Sequence, residues 1–91
     1  MFDLADELKK RMVWAKGTLV PGYDPNEWRS DAFGFLMRYS DYGDRQSSYG
    51  WEFDHEHPSR LGGLDHIDNL RPLHCRKNAS LGGLLSGLLR D

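Results

Sequence analysis

The chain opens on a helical pattern. Phe2, Leu4, Ala5, Leu8, Met12 and Ala15 approximate one apolar stripe over residues 2–16. Asp3, Asp6 and Glu7 stand in its first turn and Lys9, Lys10 and Arg11 follow, an order that suits the partial charges of a helix. Gly17 is the expected stop. Residues 18–30 contain Pro21, Gly22, Asp24, Pro25 and Asn26 and read as loop and turn. FGFLMRYS at 33–40 reads as a strand, and 41–48 as a polar turn region. GWEFDH at 50–55 alternates, with Trp51 and Phe53 on one face and Glu52 and Asp54 on the other. A long loop over 56–68, with Pro58, Gly62 and Gly63, leads to NLRPLH at 69–74. That is a second short strand, which Pro72 confines to an edge or a break. A helix is expected from about Cys75, weakened later by Gly82, Gly83 and Gly87. Leu84, Leu85, Leu88 and Leu89 form a last apolar stripe, expected to pack on the domain or to join two copies as a homodimer.

Composition narrows the class. A chain of 91 residues suits one domain, and its 38% hydrophobic content is low for a globular fold. The aromatic residues therefore matter, and Trp14, Trp28, Trp51, Phe33 and Phe35 are expected in the core. No apolar run approaches a bilayer span, and the acids in MFDLADELKK do not suit a signal peptide, so the expected compartment is the cytoplasm. Cys75 is the one cysteine, which excludes an internal disulfide and a Cys-pair zinc site. The formal charge of −2 argues against a uniformly basic nucleic-acid surface. Arg71, Arg76 and Lys77 nevertheless cluster near the chemically richest segment, and a bound divalent cation would add positive charge there.

That segment holds Asp54, His55, Asn69 and Asn78. Phosphodiester hydrolysis needs an activated water, neutralised phosphoryl charge and a stabilised leaving oxygen. A histidine can take the water's proton. A hard cation such as Mg²⁺ prefers oxygen donors and keeps several waters, so Asp54 and Asn78 would suffice as ligands. Adjacent strand residues point to opposite sides, which would set the cation and the base on either side of one phosphate.

With these residues in view, GWEFDHEHPSRLGGLDHIDNLRPLHCRKN resembles the HNH endonucleases, whose pattern runs Asp-His, two residues, Pro, a Gly-containing loop, Asn-Leu, a strand, then a helix with a final His or Asn. VWAKG, GYDPNEW and YGWEFDH upstream resemble a subgroup of small stand-alone members, so the likeness spans roughly residues 13–83. The resemblance implies an α+β fold built on a ββα-metal motif over 50–83, supported by a helix and strands in 1–49 and followed by the apolar tail 84–91. It implies DNA cleavage with one Mg²⁺ or Mn²⁺ ion, His55 as general base, Asp54 and Asn78 as ligands, and Asn69 bracing the loop. Arg71, Arg76 and Lys77 are candidate phosphate contacts. Many members carry an apolar residue after Asp-His, where this chain has Glu56 and His57. Many carry a Lys soon after the last Asn, where this chain has Leu81. Two rival readings stand beside this one. One is a non-catalytic nucleic-acid- or protein-binding module on the same fold, and the other is a domain stapled by zinc through His57, His66, His74 and Cys75.

Overall fold

The computed structural model describes residues 3–57 and 66–75. It is a small α+β arrangement of one helix and two antiparallel hairpins. Helix α1 spans Leu4–Trp14. Strand β1 (Trp28–Ser30) pairs with β2 (Leu36–Arg38), and β3 (Trp51–His55) pairs with β4 (Leu70–His74). Short 3₁₀ turns over Tyr39–Asp41 and Ile67–Asn69 follow β2 and precede β4. Among the described residues, no helix is long and apolar enough to cross a membrane.

Helix α1 starts where Asp3 caps it, its side chain accepting from the Ala5 and Asp6 amides at 2.9 and 3.4 Å. The buried face is not the expected stripe. Val13 and Trp14 are buried, whereas Leu4, Leu8 and Met12 are 63%, 55% and 56% exposed. The helix meets an aromatic wall, and aromatic faces accept cations. Lys10 Nζ lies 5.2 Å from the ring centres of both Tyr39 and Tyr42, and the Arg11 guanidinium lies 3.7 Å from that of Tyr39. Glu7 joins the same face by accepting the Tyr39 hydroxyl at 2.7 Å. Charged residues therefore line the inner side of this helix, which reverses the usual reading of polar as outward.

The first hairpin also departs from expectation. β1 lies within the segment read as loop, and β2 occupies only three residues of the expected strand 33–40. Asp31 explains the early reversal. Its Oδ1 accepts the Phe33 and Phe35 amides, each at 2.9 Å, and Gly34 takes φ 88°, a left-handed value that glycine adopts without strain. Phe33 and Phe35 thus sit in and beside a turn and are 47% and 43% exposed, not core residues. Asp31 itself is 3% exposed, and its Oδ2 accepts the His74 amide at 3.1 Å, fastening the first hairpin to β4.

The second hairpin follows its alternation. Trp51 pairs with His74, Phe53 with Pro72, Asp54 with Arg71 and His55 with Leu70. A two-stranded sheet has only edge strands, so Pro72 fits without interrupting a ladder on both sides. Trp14, Trp51, Tyr39, Val13, Met37 and Leu70 form the core, with Phe53 and Ile67 packed on it. The Trp14 and Trp51 ring centres are 4.9 Å apart. Trp28, expected with them, is only half-buried, and its ring meets Tyr23 and Tyr49 edge-on at 5.8 and 5.1 Å. Gly50 lets β3 start beside the preceding turn, since a Cβ there would stand 1.9 Å from the Asp44 carbonyl oxygen.

Candidate functional site

The alternation of β3 carries Asp54 and His55 to its end, just before Glu56 and His57. Asp54 lies directly across from Arg71, whose Nε donates to Asp54 Oδ2 at 2.8 Å. Both side chains are partly buried, with 29% of Arg71 and 23% of Asp54 exposed. The Arg71 guanidinium also rests 5.5 Å from the centre of the Phe33 ring, which gives that exposed turn residue a role outside the core. His55 faces Leu70 across the ladder and is half-buried.

Asn69 ties the end of β3 to the approach to β4. Its Oδ1 accepts the His57 amide at 2.9 Å and its Nδ2 donates to the His57 carbonyl at 3.0 Å. Its own carbonyl accepts the Glu56 amide at 2.9 Å and its amide donates to the His66 carbonyl at 2.8 Å. These bonds extend the strand pairing past His55 and fix the backbone at Glu56 and His57 on one side and at His66 and Asn69 on the other. Asn69 is 9% exposed, so its side-chain bonds face little competition from water. Replacing it with alanine should destabilise the domain by about 1–2 kcal/mol. It should also speed hydrogen exchange at the His57 amide. Unchanged exchange there would contradict the bracing role.

Lys16 supports the same place from the far side. Its Nζ donates to the carbonyls of Ile67 and Leu70, the latter at 2.6 Å, and so ties the end of α1 to the entry of β4. A lysine at the end of a helix reads from sequence as a helix-end charge, so nothing marked this longer reach. Beside it lies a cleft of about 150 Å³ lined by Lys16, Thr18, Asp31, Glu56, Arg71 and Pro72. Glu56 is exposed on the rim of this cleft.

The four residues of the zinc reading do not assemble. His74 Nε2 lies 2.7 Å from the Ser48 carbonyl, and Cys75 is 1% exposed with its Sγ 3.6 Å from Glu52 Oε2. Burial, reinforced by the neighbouring Glu52 carboxylate, pushes the Cys75 thiol up to about 11, far from a ready thiolate. His57 and His66 stand exposed at the loop. Among the described residues, no group of three or more His, Cys, Asp or Glu side chains is arranged to hold a metal ion. Asn78, Arg76, Lys77, Leu81 and the apolar tail, together with Gly62 and Gly63, lie outside the described residues. Compared with known proteins, the chain matches no family model, no curated protein and no solved structure.

Proposed function

We propose that this chain is a metal-dependent endonuclease of the HNH class that hydrolyses DNA phosphodiester bonds. The observation that carries the reading is the placement of Asp54 and His55 side by side at the end of β3, next to the His57 backbone clasped by Asn69. In this reading β3 and β4 are the two strands of a ββα-metal motif, and the chain from Cys75 onward is its helix.

The donor set fits a hard divalent cation. Asp54 and Asn78 both offer oxygen and neither is a thiolate, and the Asp54 carboxylate, held by Arg71, is largely withdrawn from solvent. Mg²⁺ or Mn²⁺ held there would neutralise phosphoryl charge and stabilise the leaving oxygen. His55 projects from the neighbouring strand position and removes the proton from the attacking water. Asn69 keeps the strand end and the His57 backbone fixed, so that His55 need not be ordered when substrate arrives.

Incubating the protein with supercoiled plasmid tests the reading. Nicked or linear product should form with Mg²⁺ or Mn²⁺ and not with a chelator. Intact plasmid under all conditions would overturn it. The ion pair between Asp54 and Arg71 favours a second reading, a non-catalytic nucleic-acid-binding module, because a guanidinium already neutralises the proposed ligand.

A further inference from the structure

We infer that Arg71 couples cation binding to DNA binding: it clasps Asp54 in the free protein and shifts to a phosphate oxygen when DNA arrives. The inference rests on Asp54 being the metal ligand. The strand register sets Arg71 opposite Asp54, so their contact at 2.8 Å follows from backbone pairing and not from a chance meeting of long side chains. The bond uses Nε and one carboxylate oxygen. A divalent cation on the same carboxylate would meet a positive guanidinium at close range, in a partly buried place where water screens poorly. In the free protein, Arg71 is therefore a competitor of the cation.

A phosphodiester reverses that competition. Guanidinium pairs well with phosphate oxygens, often through two donors. Arg71 lines the cleft beside the strand end together with Lys16, and it is exposed enough to be reached by a nucleic-acid backbone. The Phe33 ring under it supplies a flat face along which the guanidinium can slide without losing all its contacts. DNA thus removes the competitor from Asp54, and by reciprocity the cation releases Arg71 for DNA. A protein built this way holds its cation weakly until substrate is present.

The test is Mn²⁺ binding by calorimetry, with and without a short duplex, in a His55→Ala background so that the duplex stays intact. Arg71→Met keeps the stem and removes the charge. Without DNA it should bind Mn²⁺ roughly tenfold more tightly than its parent. The duplex should tighten Mn²⁺ binding roughly tenfold in the parent and by less than about twofold in Arg71→Met. Equal Mn²⁺ affinity in both proteins, or equal gain from the duplex, would overturn the coupling. Asp54→Asn separates the two levels of the argument. If it lowers Mn²⁺ affinity while Arg71→Met changes nothing, the coupling falls and the nuclease reading stands. If Asp54→Asn leaves Mn²⁺ affinity unchanged, the ligand assignment falls and the coupling with it.

Discussion

Replacing His55 with alanine should lower the rate of DNA cleavage by about two to four orders of magnitude. At 1.36 kcal/mol per decade, that corresponds to about 2.7–5.4 kcal/mol of lost transition-state stabilisation. The size follows from the role: water is a poor nucleophile until its proton has somewhere to go, and in this reading His55 is the group that receives it. The ladder partners of His55 are backbone groups opposite Leu70, which alanine keeps. A melting curve and circular dichroism spectrum would check that the fold survives. Single-turnover rates on plasmid at saturating Mn²⁺ give the result. A rate within about threefold of wild type, where general-base loss should cost at least a hundredfold, would remove His55 from the mechanism.

Asp31→Ala is expected to cost a large share of the stability of the domain. Its carboxylate, 3% exposed, accepts three backbone amides, those of Phe33, Phe35 and His74. Alanine would leave three donors of this region without their acceptor, at about 1–3 kcal/mol for each one that water cannot reach. Partial solvation of the exposed Phe33–Phe35 turn lowers the total, and about 3 kcal/mol is the expected loss. For a domain of this size the melting temperature should fall by more than about 10 °C. Asp31→Asn keeps one acceptor oxygen and turns an amide group toward the other donor, so it should fall between alanine and wild type. A drop below about 2 °C for Asp31→Ala would show that the two hairpins are held together by something else.

Where the sequence carried a strong local signal, it foretold structure. The alternation of Trp51, Glu52, Phe53 and Asp54 gave β3, and the proline in NLRPLH limited β4 to the edge it occupies. The bracing role of Asn69 came from the family resemblance and not from its sequence neighbours, and its two bonds to His57 tie the end of β3 to the entry of β4. Other features had no local signal. β1 is three residues among turn formers, held as a strand by partners at Leu36–Arg38. The buried face of α1 was misread because its neighbours are aromatic rings, against which lysine, arginine and glutamate can pack. Phe33 and Phe35 were misread because the Asp31 carboxylate, 43 residues before its partner His74, turns the chain at that point. The reach of Lys16 to Ile67 and Leu70 and the pairing of Arg71 with Asp54 both depend on tertiary placement, so neither could be foreseen from spacing.

The central claim is that Asp54 and His55, adjacent in the chain, divide the work of one site as ligand and base. The most direct measurement is a calorimetric Mn²⁺ titration of wild type, Asp54→Ala and His55→Ala, set beside their cleavage rates. The account predicts that Asp54→Ala loses both Mn²⁺ binding and cleavage, whereas His55→Ala loses cleavage and keeps Mn²⁺ binding within about twofold. Normal Mn²⁺ binding in Asp54→Ala, or loss of Mn²⁺ binding in a folded His55→Ala protein, would contradict it.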